Sequence, residues 1–285
     1  MHSDDNYRLV KLASGVFSVH SLAEAETFHP VIGPVAEAEA LYVRQLKLVE
    51  RMQAHRGEFV IWDVGLGAAA NALTVLRHTR AVRQPLRLVS FDHTLAPLAF
   101  ALTHASELGY LEGYEYVLEE LLRVPRTAFC DSGRPVHWDM HRGDFPTLIA
   151  SPQADHLPRP DVVMFDAFSP AKNPAMWTLP LFTHIFCHLE PARPCALPTY
   201  SRSTMLRVTL LLAGFFVGAG HATGEKEETT IAANTQELIS EPLDRRWLAR
   251  ARRSTCAEPL HEPIYRRAGL RDETWDRLQA HSQFR

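Results

Sequence analysis

The stretch from Asp161 to Trp177 constrains the fold of this chain more than any other. Val162-Val163-Met164-Phe165 is a short apolar run that stops at Asp166. Such a run is expected of a parallel strand covered on both faces. Ligands of open α/β sheets gather outside the carboxyl ends of the strands, so Asp166 stands where a sheet of this kind does its chemistry. Phe168 to Pro174 then holds two prolines, a lysine and an asparagine, which shape a loop. Pro174 suits the first position of a helix, predicted over residues 175–189. The same stretch can also be read as a strand end whose acid caps a turn.

Further strands of this kind place the stretch in a sheet. Phe59 to Trp62 runs into Asp63-Val64-Gly65-Leu66-Gly67-Ala68-Ala69-Ala70-Asn71 and a helix to about Arg77. Strand, small-residue turn and helix form the nucleotide-side cradle of Rossmann-like folds. Ala69 stands where a third glycine would close the pattern, which leaves room for a small cofactor without favouring a pyrophosphate. Leu86 to Phe91 ends at Asp92, Val136 to Arg142 ends at Gly143-Asp144, and Cys195 to Tyr200 is a fifth strand with Pro198 awkwardly inside it. Helices are predicted over 94–109, 114–122 and 203–213. Phe215 to Val217 and Glu228 to Ala233 pair as a last hairpin. The sum is an α/β, Rossmann-like, doubly wound sheet of seven mostly parallel strands with a terminal antiparallel hairpin. Ahead of it stand a hairpin around Ser14-Gly15 and one long amphipathic helix over 35–55, closed by Gly57. The expected organisation is an N-terminal hairpin and helix (1–57), a central domain (58–233) and a C-terminal extension (234–285).

Charge and cysteine usage exclude several classes. The net charge is -3, so no global basic field announces a nucleic-acid partner. The extension does carry five arginines against one acid over Asp244 to Arg253, either a solvated face or a phosphate-contacting patch. The four cysteines form no CxxC pair and suggest neither zinc nor a disulfide framework, and a reducing cytoplasm is expected. His137 and His141 lack a third ligand, so no metal is expected. Met1 to Arg8 has no apolar signal core, and glycines interrupt the most apolar run, Leu206 to Gly220.

Carboxylates at successive strand ends carry the chemistry. Gly65 and Gly67 let the backbone approach a ligand. Asp92 suits ribose hydroxyls, and Asp144 suits an adenine amino group. Together with Asp63 or its turn, and with Asp166, they point to an adenosine-containing cofactor. The terminal hairpin favours S-adenosylmethionine over a dinucleotide.

Met164-Phe165-Asp166-Ala167-Phe168-Ser169-Pro170-Ala171-Lys172-Asn173-Pro174-Ala175-Met176-Trp177 resembles the signature block of the MnmC-type tRNA methyltransferase domain. The likeness extends to Asp63-x-Gly-x-Gly with Asn71, to Ser90-Phe91-Asp92, to Gly143-Asp144 and to the segment Glu24 to His29, over about Val16 to Ala233. The resemblance implies a class I S-adenosylmethionine-dependent methyltransferase that converts the aminomethyl group on a modified wobble uridine of tRNA, often 2-thiolated, into methylaminomethyl. It implies the standalone form, because the chain is too short for the flavin oxidase domain of bifunctional members; an oxidase on another chain is then a candidate partner.

On that reading Asp166 positions the amine, and Phe168 packs on the uracil or the cofactor. Phe28 closes over the cofactor. Lys172 and Asn173 bind substrate or fix the loop, Arg202 contacts substrate, and Trp177 is core. One departure stands out: several members have a basic run before the last strand where this chain has Gly224-Glu225-Lys226-Glu227-Glu228. RNA contacts then rest on Arg202, Arg207, Lys226 and the arginines of the extension. The competing readings are methylation of a small-molecule amine on the same scaffold and a cofactor-binding protein without turnover.

Overall fold

In the computed structural model, which describes residues 6–223 and 227–285, the chain forms two compact units. The first takes in the described residues up to Asp144, Val163–Asp166 and the described part of Ala222–Glu227; the second is Phe145–Val162, Ala167–His221 and Glu228–Arg285.

The first unit opens with strands β1 (Tyr7–Lys11) and β2 (Phe17–Ser21), antiparallel with Leu9 opposite Val19, as expected. A two-residue strand β3 (Glu26–Thr27) extends them through a segment that reads as irregular in sequence. The single helix expected over 35–55 is instead broken. Helix α1 (Pro34–Ala38) passes into wider, π-type turns over Glu39–Arg44, and α2 (Leu48–Ala54) restarts after Lys47, which sits at φ 47°. The register shift keeps Ala40, Leu41, Tyr42, Val43 and Leu46 buried together. Packing overrides periodicity there, and no glycine or proline marks the break in sequence.

Next come β4 (Phe59–Val64), α3 (Ala70–His78), β5 (Leu86–Asp92), α4 (Ala96–Thr103), α5 (Ala105–Leu108), α6 (Glu115–Leu121), β6 (Arg126–Asp131), β7 (Arg134–Arg142) and β8 (Val162–Phe165). The helix expected over 94–109 is split at His104, at φ -119°, whose ring lies 3.0 Å from the Phe100 carbonyl. Strand β6 adds an eighth strand to the expected seven. It pairs antiparallel with β7 through a two-residue turn, Ser132-Gly133, with φ of 53° and 85°. That is the mirror-image turn that suits hairpin twist, here with serine in place of the usual asparagine or aspartate. Strands β4 and β8 are buried along their whole length, as parallel strands between helical layers must be.

The second unit contains α7 (Phe145–Ile149), a tight turn at Pro174–Trp177, α8 (Leu179–Cys187), β9 (Ala196–Thr199), α9 (Thr204–Ala213), β10 (Phe216–Gly220), β11 (Thr229–Ala233), α10 (Arg245–Arg252) and α11 (Asp272–Gln279). The helix expected from Ala175 starts properly only at Leu179, because the Thr178 hydroxyl caps it by accepting from Leu181 N. Helix α9 begins at the cap Ser203 and ends at Gly214, as expected. Pro198 does lie inside β9, where pairing to β8 is registered only at Val162 opposite Ala196, ahead of the missing N–H.

The extension belongs to this unit. The Gln283 amide brackets β10, accepting from Val217 N at 2.8 Å and donating to Val217 O at 2.8 Å and Leu243 O at 2.9 Å. The main sheet runs β10-β11-β9-β8-β4-β5-β7-β6; β4, β5 and β7 are parallel, and β11 is antiparallel to both its neighbours. The Rossmann-like class with its terminal hairpin is therefore observed. Among the described residues no helix is long and apolar enough to cross a membrane.

Candidate active site

The chain leaves β4 toward β5 on one side, and β8 flanks β4 on the other. This is the topological switch point at which open α/β sheets bind ligands. Phe28, Asp63, Gly65, Gly67, Asn71, Asp92, Asp144 and Asp166 all lie in the first unit.

Asp63 is near the end of β4 and is 1% exposed. Parallel pairing sets it beside Ser90 of β5, whose hydroxyl donates to Asp63 Oδ2 at 2.8 Å and accepts from Trp138 Nε1 at 2.9 Å. Burial pushes the Asp63 carboxyl up to about 7; the Ser90 hydrogen bond opposes that rise, and the charges of Asp166 and Asp92 add to it. Asp63 Oδ1 is buried without a hydrogen-bond partner among the described residues, and so is Asn71 Oδ1 on α3. Two orphaned acceptors of this kind are costly. They fit a ligand that brings a cationic donor, such as the ammonium of an amino-acid moiety.

The turn after β4 is held from two sides. Gly65 N donates to Phe91 O at 2.9 Å, and Gly67 N donates to Asp92 Oδ2 at 2.9 Å. Asp92 Oδ1 accepts from Thr94 N at 3.2 Å, and His93 Nδ1 lies 3.2 Å away. A carboxylate has about four lone-pair sites, so this acid braces the turn and keeps capacity for a hydroxyl. Gly67 has φ 52°, and a Cβ there would stand 3.2 Å from Phe28 Cε2. Phe28 thus covers the turn, anchored by its N–H to Val19 O at 2.8 Å and its carbonyl to the Ser18 hydroxyl. Ala69 caps α3 at φ 62°, a conformation in which glycine would be unstrained. Asp144 follows Gly143 at the end of β7, where it is exposed, and Gly143 N donates to Asp92 O at 2.9 Å.

Asp166 projects into the same group. Its backbone N–H donates to Val64 O at 3.0 Å, its Oδ2 accepts from Asn71 Nδ2 at 2.7 Å, and His29 Nε2 is 3.5 Å from that oxygen. Sequence reasoning did not assign a role to His29 or to Glu37 on α1, which lies 4.0 Å from His29 Nδ1. The only signal was the position of His29 at the end of the Glu24 to His29 segment.

In the second unit, Phe168 is half-buried, and its carbonyl accepts from Trp177 Nε1 at 2.7 Å. Trp177 is fully buried and packs edge-on to Tyr200, the core position expected for it. Lys172 N and Asn173 N both donate to Ser169 O at 2.9 Å, which closes the loop as a turn and leaves the Lys172 side chain exposed. Arg202 is exposed. Arg207 is not available to RNA: it is 3% exposed and is consumed by Thr230 Oγ1, Glu228 Oε1 and Thr229 O. Of the acidic loop, Gly224, Glu225 and Lys226 lie outside the described residues. On α10 the expected basic face is present at Arg245, Arg246 and Arg250, while Arg252 is engaged by Asp272 and the Trp275 ring. His137 lies 2.9 Å from Glu58, and His141 stacks on Phe91; among the described residues no cluster of metal-ligating side chains forms.

Residues 119–235 match the sequence profile of a family described as S-adenosyl-L-methionine-dependent methyltransferase. The chain is similar in structure to MnmC2 from Aquifex aeolicus, with a TM-score of 0.70 and 24% identity over 96% of this chain and 84% of that one. Looser likenesses include the rRNA methyltransferase AviRa of Streptomyces viridochromogenes (TM-score 0.40, 18% identity, 70% of this chain and 84% of that chain). TrmN of Thermus thermophilus is another (TM-score 0.37, 14% identity, 66% and 55%).

Proposed function

We propose that this S-adenosylmethionine-dependent methyltransferase, MnmC-like in fold and signature, methylates the aminomethyl group of a modified wobble uridine in tRNA. The observation that carries the reading is the cluster at the switch point. Asp166, held by Asn71, shares its surroundings with the buried Asp63 and with Asp92. When bound, the donor supplies an electrophilic methyl on a sulfonium.

The chain's own residues supply position. The orphaned oxygens of Asp63 and Asn71 would receive the donor's ammonium, Asp92 would hold its ribose and Asp144 its adenine amino group. Gly65 and Gly67 admit it close to the backbone, and Phe28 shields it. Methyl transfer is an in-line displacement, so the gain lies in holding the nucleophile near contact and aligned. A primary amine is protonated near neutral pH and attacks only after losing a proton. Asp166 accepts a hydrogen bond from that amine and aims its lone pair. Phe168, Lys172, Asn173 and Arg202 are the proposed substrate contacts, with the exposed arginines of α10 on phosphate. A flavin-dependent oxidase on another chain would supply the aminomethyl group.

The test incubates the protein with labelled S-adenosylmethionine and bulk tRNA from a strain lacking its own enzyme, followed by nucleoside mass spectrometry. Label in methylaminomethyl uridine, lost in Asp166→Ala while donor binding persists, is the expected result. Label only in small amines, with no salt-dependent tRNA affinity, would replace tRNA with a small-molecule substrate.

A further inference from the structure

His29 sits behind Asp166 in a setting that demands an explanation. Its side chain is 9% exposed and lies between two carboxylates, with Nε2 3.5 Å from Asp166 Oδ2 and Nδ1 4.0 Å from Glu37 Oε1. Glu37 is itself buried, at 4% exposure. The backbone of His29 is at φ 48°, a left-handed conformation that few non-glycine residues adopt. An observed strain of this sort at a candidate site is a reason to look for a function. Charged groups beside the ring include Glu37 from α1 and Asp166 just past β8; Asp166 and Asp92 in turn each act on the buried Asp63 of β4.

We propose that His29 is a positioning and relay residue: it takes, through Asp166, the proton that the substrate amine gives up and holds it, with Glu37 as the counter-charge on the far side of the ring. This rests on the reading that the nucleophile is an amine. Simple acidity favours the imidazole as the proton's resting place. An alkylammonium has a pKa of about 10.4, an aspartate about 3.9 and an imidazole about 6.5. Leaving the proton on an ordinary carboxylate is adverse by roughly a factor of 3 million, and on an imidazole by roughly 10 thousand, a gain of about 400-fold. The two ring nitrogens face carboxylates on opposite sides, so an imidazolium there has a counter-charge at each nitrogen.

The step balances. The ammonium N–H bond breaks with its pair kept on nitrogen, and the proton enters the Asp166 carboxylate. That carboxyl returns to its charged form by protonating His29 Nε2, and the imidazolium rests between the Asp166 and Glu37 carboxylates until water takes the proton. The nitrogen pair then forms the bond to the methyl carbon as the carbon–sulfur bond breaks, its pair staying on sulfur.

The test variant is His29→Asn, because asparagine also tolerates the left-handed region. Calorimetry with S-adenosylhomocysteine is expected to show affinity close to wild type. Turnover on aminomethyl tRNA near neutral pH is expected to fall roughly 100-fold, the lower range for a lost general base. It should recover as pH rises, with the acid limb now following the substrate amine. Imidazole NMR of His29, read without any substrate, is expected to show its titration midpoint moving down in Glu37→Gln and in Asp166→Asn. A His29→Asn enzyme with the wild-type acid limb overturns the relay, as does a midpoint unmoved in either carboxylate variant. A wild-type enzyme that methylates no amine overturns the substrate reading as well.

Discussion

Replacing Asp63 with asparagine should stabilise the ligand-free protein, and by an amount that grows with pH. The carboxyl is fully buried, its folded-state pKa is raised from 3.8 to about 7, and burial is the largest cause. A folded pKa above the unfolded one means the native state holds more protons. The stability is therefore present below the unfolded pKa and is lost as pH rises through the folded one. Integrated over that window, the raised pKa of Asp63 lowers stability by roughly 2 kcal/mol at about pH 5 and roughly 4 kcal/mol at about pH 8.

Asparagine keeps an oxygen to accept the Ser90 hydroxyl and places no charge among Asp166 and Asp92. Urea unfolding of wild type and Asp63→Asn at several pH values isolates this group together with its coupling to Asp166 and Asp92, since titrations remote from it cancel in the difference. The variant's advantage is expected to grow by roughly 2–3 kcal/mol from about pH 5 to about pH 8. Donor affinity is expected to fall in parallel, because the carboxylate that destabilises the empty site is the one proposed to receive the donor's ammonium. A stability difference that is flat with pH would refute the buried, up-shifted acid. An unchanged donor affinity would refute its assignment to the cofactor.

Two further outcomes follow from the same geometry. Gly67→Ala places a Cβ 3.2 Å from Phe28 Cε2 at a left-handed φ. It is expected to cost roughly 1–2 kcal/mol of stability and to weaken donor binding by about tenfold, read by calorimetry. Arg193→Ala removes the paired Nε and Nη2 contacts, at 2.7 and 2.5 Å, to the 2% exposed Asp161. It is expected to cost roughly 3 kcal/mol in urea unfolding at neutral pH, with donor affinity unchanged.

The strand ends were legible because their pattern is local. An apolar run that stops at Asp63, Asp92 or Asp166 states both a buried strand and the polar group at its carboxyl end, with no knowledge of neighbours. The small-residue turn after β4 and the Gly214 stop of α9 are readable for the same reason: residue types adjacent in the chain announce them.

Breaks set by packing were not legible. The run over 35–55 keeps helical periodicity, yet the chain shifts register at Glu39–Arg44 and turns at Lys47 to bury Leu41 and Tyr42. Strand β6 was hidden because Ser132 takes the left-handed turn position without the residue types that usually announce it. Arg207 looked like a basic surface residue until the pairing of β11 placed Thr229, Thr230 and Glu228 around it.

By itself, then, the order of residues determined which side chains end each strand, and with them the fold class. Only tertiary structure decided their company. It set His29 and Asn71 on Asp166, Ser90 beneath Asp63 and Phe28 over Gly67, because these contacts join positions far apart in the chain. Their energies depend on burial and on neighbouring charge, and neither exists until the sheet has formed.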